Sequence, residues 1–112
     1  MIYHITEKTQ WIVAKASGLY EPESLRTEGF IHCCAEDSFS QIENFYYKSR
    51  AGLVALEIDE LKLKAELRWE EFGDRKMPHV YGPIDMEAVV RMAELFPNSK
   101  GIFEFPFNPT LH

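Results

Sequence analysis

The chain has 112 residues, 46% of them hydrophobic, with a formal net charge of −6 and a pI near 5.2. A chain of this length builds one core and leaves little room for a second, so residues 1–112 are read as a single domain. The acidic balance, without clustered Lys and Arg, argues against a nucleic-acid partner; an anionic ligand must be held locally, by a few arginines or backbone N–H groups.

The opening MIYHITEKTQW lacks a basic segment followed by an apolar one, and no apolar run approaches the roughly 20 residues that span a bilayer. A cytoplasmic protein with no membrane association is expected. Residues 1–5 read as a strand with Ile2 and His4 on one face and Tyr3 and Ile5 on the other. Thr6 is placed to cap a helix over residues 7–17, where Trp11, Ala14, Lys15 and Gly18 follow helical spacing, and SGLYEPES reads as a helix stop and an irregular loop. GFIHCC makes a second strand. Its adjacent cysteines, Cys33 and Cys34, would point to opposite faces and not pair with each other, in keeping with a reducing compartment.

In EDSFSQIENFYY, Ser38 and Gln41 have capping-box spacing, and Phe39, Ile42, Phe45 and Tyr46 form one helical face. LVALEID, residues 53–59, is a buried strand; a single turn at DELKL, a strand around ELRWE and a polar loop EFGDRKMP follow. Residues 85–88 read as a turn leading into a strand, and GIFEFPF alternates as a last strand. The order, with two helices early and strands dominating later, predicts a small α+β domain.

Three of the four histidines fall in strand-like segments: His4 in MIYHIT, His32 in GFIHCC and His79 in MPHVYGP. An imidazole at a strand end donates from one nitrogen and accepts on the other, which suits it to orient a hydroxyl or move a proton. A lone histidine there is more often a satisfied edge of the core; three favour convergence on one site. Thr6 adds a hydroxyl beside His4, Tyr81 shares the His79 face, Gly82 permits close backbone approach, and Glu28 immediately precedes the His32 segment. Glu57, Glu70, Glu71 and Glu104 are further candidate carboxylates. Cys33 or Cys34 as a nucleophile would need a base and a lowered thiol pKa; buried packing is the simpler role. No metal is expected, because neither Cys-x-x-Cys nor His-x-x-x-His occurs.

MIYHIT, SLRTEGFIHCC, LVALEID and PHVYGPI, in this order, resemble the small bacterial family called domain of unknown function 952, over nearly the whole chain. That resemblance implies an ADP-ribosyltransferase-like fold, a split, mostly antiparallel sheet with two helices, whose cleft takes NAD, as substrate rather than resident cofactor, or an ADP-ribosylated compound. On it, His4 with Thr6 would contact the ribose, His32 would stand at the second motif and His79 at the third. The glutamate of the best-known protein-modifying transferases has no counterpart, which tells against transfer to a protein side chain. The histidine-rich pattern is also similar to RNA 2′-phosphotransferases, a likeness the acidic charge does not support. One of Arg26, Arg50, Arg68 or Arg75 would pair with a pyrophosphate.

The expected function is thus chemistry at a ribosyl C1 on a small nucleotide-type ligand, with His32 and His79 catalytic and His4, Thr6, Tyr81, Gly82 and Glu28 binding. The alternatives are a non-catalytic nucleotide or metabolite binding module, and an interaction domain using Phe39, Phe45, Tyr46 and Tyr47.

Overall fold

The computed structural model of the protein describes residues 1–47 and 50–107. Strand β1, Ile2–Glu7, pairs antiparallel with β4, Leu53–Ile58, in a register that sets Ile2 opposite Ile58 and His4 opposite Leu56. β4 also pairs with β8, Val89–Leu95, which makes it the middle strand. All six of its residues are buried, because both faces of this sheet are covered. Ile2, Val54, Leu56 and Ile58 pack with Trp11 and Ala14 on one side. Tyr3, Ile5, Leu53 and Ala55 pack with Phe39, Phe103 and Phe107 on the other.

Helix α1, Lys8–Ser17, leaves β1 directly and ends at Gly18, whose φ of 88° supports the left-handed cap and whose N–H donates to the Ala14 carbonyl at 2.8 Å. The expected Thr6 cap is absent. Glu7 occupies the cap position and makes no side-chain bond there, while Thr6 is the last inward residue of β1 on the His4 face. The expected loop SGLYEPES holds structure too short to show a period: β2, Leu19–Tyr20, pairs with β7, Ile84–Asp85, and a one-turn helix α2, Glu23–Thr27, follows Pro22. Proline cannot extend a ladder, but its fixed φ suits helix entry. Three α-helices therefore occur among the described residues where two were expected.

β3 is Ile31–His32, shorter than the expected GFIHCC strand. Cys33 and Cys34 carry the chain across to the other sheet: Cys33 N–H donates to the Pro78 carbonyl, and Cys34 exchanges two 2.8 Å backbone bonds with Tyr3. The two thiols consequently lie in different core clusters. Helix α3, Glu36–Tyr46, begins two residues before the expected capping box, and the Ser38 hydroxyl donates to the Ala35 carbonyl instead of capping. Phe39 is fully buried on the Tyr3 face and so cannot serve an exposed interaction surface; the side chains of Ile42, Phe45 and Tyr46 lie outside the described residues.

The largest departure is EFGDRKMP. It is a hairpin: β5, Glu66–Phe72, pairs with β6, Arg75–Tyr81, through a turn at Gly73 and Asp74, with Gly73 at φ 67°. Pro78 lies inside β6, the middle strand of the sheet β3-β6-β5. Its carbonyl accepts from Cys33, so its missing donor faces the side where β3 has already ended. A single 3-10 turn, Met86–Ala88, leads into β8 as expected. GIFEFPF is not a strand. Asn98 folds the chain back, its side chain accepting from Lys100 and Ile102 N–H groups, and Phe103, Phe105 and Phe107 then gather round Tyr3 and Phe39. No helix among the described residues is long and apolar enough to cross a membrane.

Candidate functional site

A cleft of about 590 Å³ opens between the β1 and α2 side of the molecule and the β3-β6-β5 sheet, which contributes His32, Phe72, Met77 and His79. That volume falls in the range of small-molecule pockets. His4, Thr6, Glu28, His32 and His79 all reach its wall, so the fold brings five of the seven expected site residues together. Tyr81 and Gly82 stand outside the wall. Gly82 is a packing glycine: a Cβ there would fall 2.8 Å from the Ala65 Cβ.

His4 is almost fully buried. Its Nδ1 lies 2.5 Å from the His32 carbonyl oxygen, which can only accept, so Nδ1 carries the proton. Nε2 is then an acceptor, 2.7 Å from the Tyr20 hydroxyl, which is itself 2.9 Å from Thr6 Oγ1. Burial depresses the His4 pKa to about 4, against the partial support of the His32 carbonyl, and the ring is neutral at pH 7. Burial also pushes the Tyr20 phenol well above its ordinary value. Both nitrogens of His4 are committed to protein partners, and what the cleft meets beside it is the hydroxyl pair of Tyr20 and Thr6.

His32 and His79 are directly opposed across β3 and β6, and their rings stand edge to face at 5.4 Å. Each has a carboxylate. His79 Nδ1 lies 2.8 Å from Glu70 Oε1, and His32 Nε2 lies 2.9 Å from Glu28 Oε2. Phe30 stacks on the His79 ring at 4.2 Å and leans on His32 at 4.7 Å, which fixes both planes. The Tyr81 hydroxyl donates to the same Glu70 oxygen as His79; these two hydrogen bonds, Tyr81 first, hold the Glu70 carboxyl below the usual carboxylate range. Glu70 accepts at Nδ1, so a neutral His79 ring would present Nε2 as an acceptor, and among the described residues Nε2 has no hydrogen-bond partner.

The reading of the sequence named Glu70 only as one carboxylate among several, and it overlooked Tyr20 and Phe30. A signal for Glu70 existed: with Gly73 and Asp74 taken as a two-residue turn, Glu70 falls opposite Met77, one side-chain row from His79. Tyr20 had none, since its place depends on β2 meeting β7, some sixty residues away. Glu57 lies elsewhere, buried under Arg91, while Glu71 and Glu104 are exposed. Cys33 is buried, and burial raises its thiol pKa well above normal, the opposite of an activated nucleophile. No group of three or more His, Cys, Asp or Glu among the described residues is arranged to hold a metal ion.

Residues 5–92 match the family described as "Protein of unknown function (DUF952)". The chain belongs to the DUF952 family. Among solved structures it is similar to the crystal structure of protein CC0527 from Caulobacter crescentus, with 30% identity over 92% of each chain and a TM-score of 0.83. The solution NMR structure of CC0527 is 31% identical over 90% of this chain and 89% of that one, with a TM-score of 0.79. No curated protein matches at a significant level. The small α+β architecture is thus shared with CC0527.

Proposed function

We propose that this DUF952 protein is a cytoplasmic enzyme of the ADP-ribosyltransferase-like kind, binding NAD or an ADP-ribosyl or nucleotide-derived compound in the histidine-lined cleft and breaking the bond at the ribosyl C1. The observation that carries the reading is His79, anchored by Glu70 at Nδ1 with Nε2 unpartnered on a cleft wall, beside a second histidine with its own carboxylate.

On NAD, the C1–N bond breaks with its electron pair going to the pyridinium nitrogen, so nicotinamide leaves neutral and needs no acid. Water adds to the oxocarbenium-like carbon, its oxygen forming the new bond to C1, and His79 Nε2 takes the proton released. Glu70 stabilises the imidazolium that results, acting on His79 rather than on the ligand. His32 with Glu28 is placed to donate a proton where the leaving group is an oxygen. The Tyr20 and Thr6 hydroxyls supply fixed hydrogen bonds for the ribose, aimed by His4. With no carboxylate of its own on the third motif, water is the acceptor this site suits best.

Release of nicotinamide from saturating NAD tests the reading. Wild type is expected to turn over and His79→Ala to lose about 10²–10⁴-fold in kcat while keeping a ligand-induced rise in Tm. Ligand binding without any release would reduce the protein to a binding module; no thermal response to NAD or ADP-ribose would remove both.

A further inference from the structure

The sequence left four arginines as equal candidates for an anion. We infer that Arg50 is the residue of this cleft that selects a phosphate-bearing ligand, an assignment that rests on the nucleotide reading above. Arg68 is occupied by both oxygens of Glu66 and lies over the Tyr81 ring at 4.4 Å, outside the cleft wall. Arg75 sits at the hairpin turn beside Asp74. Arg26 pairs with Glu23 and opens onto a neighbouring depression on the α1 side. Arg50 is the one arginine of the four on the wall.

Its setting suits a phosphate. The Arg50 backbone N–H donates to the Tyr47 carbonyl at 2.9 Å and its guanidinium stands 5.2 Å from the centre of the Tyr47 ring, so both ends of the residue are positioned. Nη2 donates to Glu7 Oε1 at 3.2 Å, a long and half-exposed pair that leaves further N–H groups for an oxyanion. The other charges on the wall sharpen the selection. Glu7, Glu23 and Glu28 line the same cleft, and a phosphate placed beside any of them would be repelled. Glu23 is taken by Arg26 and Glu28 by His32, which leaves Glu7 as the group an incoming phosphate must displace. The cleft therefore accepts negative charge at one point of its wall and favours a neutral or cationic group elsewhere, as a ribosyl phosphate with an uncharged or pyridinium substituent provides.

Calorimetric titration of ADP-ribose, adenosine and inorganic pyrophosphate into wild type, Arg50→Gln and Glu7→Gln is the test. Arg50→Gln is expected to weaken ADP-ribose by about tenfold to a hundredfold and to leave adenosine unchanged. Glu7→Gln, by removing the competing carboxylate, is expected to tighten ADP-ribose and pyrophosphate. Binding of ADP-ribose that Arg50→Gln does not weaken overturns the assignment and spares the nucleotide reading. Pyrophosphate bound through Arg50 with no response to ADP-ribose keeps the anion site and sinks the nucleotide reading. No binding of any of the three probes overturns both.

Discussion

Two clusters in this protein are built from the same parts and differ in what they can do. On the β1-β4-β8 sheet, Glu57 accepts from the Tyr3 hydroxyl at 3.1 Å and from Arg91 through two nitrogens at 2.7 and 3.0 Å. On the β3-β6-β5 sheet, Glu70 accepts from the Tyr81 hydroxyl and from His79. Each is a carboxylate between a phenol and a nitrogen base on a neighbouring strand, and each carboxyl is held below the usual range, by Arg91 first in one and Tyr81 first in the other. Glu57 is buried and its base is a guanidinium that never gives up its proton, so the cluster stores stability. Glu70 is partly exposed and its partner is an imidazole on the cleft wall with a second nitrogen left over, a group able in principle to take or give a proton. The difference between a brace and a candidate active site lies in which base stands beside the carboxylate and where its other edge points.

Exchanging carboxylate for amide separates the two most sharply. Glu70→Gln keeps an acceptor oxygen for His79 Nδ1 and the Tyr81 hydroxyl but removes the negative charge that would stabilise an imidazolium at His79. Turnover is expected to fall about 10²–10⁴-fold in kcat with little change in KM, and the denaturation midpoint to stay close to wild type. A Glu70→Gln protein with normal kcat would show that the dyad is structural after all.

The next effect belongs to His4, which is the third kind of setting: buried, with both nitrogens used. Its folded pKa of about 4 lies below the ordinary 6.5, so between those values the unfolded chain binds the proton and the native state does not. Stability is therefore full above pH 6.5 and is lost as pH falls towards 4, by roughly 3 kcal/mol over that window. His4→Asn keeps a donor for the His32 carbonyl and has nothing to titrate. Its Tm should be lower than wild type at pH 7 and flatter between pH 6.5 and 4; a parallel pair of curves would count against the burial argument.

Glu57→Ala is expected to cost about 2 kcal/mol in urea unfolding, less than for a fully buried pair because Arg91 is half-exposed and regains water. Its sign with pH follows from the lowered carboxyl: the contribution is present above the ordinary carboxyl value of 4.5 and lost as pH drops through the folded pKa, so mutant and wild type should converge in acid. Ligand binding should not change. A loss of binding in Glu57→Ala would mean the Tyr3 wall of the cleft depends on this brace.

What could be read from the sequence divides along the same physical line. β1 and β4 were legible because their apolar residues alternate or run unbroken between two covered faces, whereas β8, mostly exposed, carried helical and strand spacing together. In the β5-β6 hairpin the strand around ELRWE was read but its continuation and partner were not, because the Glu, Asp, Arg and Lys of EFGDRKMP look like a loop and β5 is an edge strand with mostly solvated side chains. GIFEFPF failed in the opposite direction: its alternating phenylalanines are paid out as ring contacts on Tyr3 with no ladder behind them. The three histidines stood out as residue types in strand-like strings, and the structure places all three at one cleft. Their partners Glu70 and Tyr20 did not, since a partner is set by register between strands distant in the chain.

Gly82 gives the clearest separation of packing from ligand contact. The sequence suggested a glycine that lets a ligand approach; the neighbour that approaches is Ala65, whose Cβ would meet a new Cβ at 2.8 Å. Both atoms belong to short, rigid side chains, so neither can swing aside and the strands must part. Gly82→Ala is expected to destabilise by about 1–3 kcal/mol. Adding Ala65→Gly should return part of that loss, because it removes the facing atom, and the double variant should bind cleft ligands as wild type does. Restored stability with binding still lost would put Gly82 back among the residues that touch the ligand.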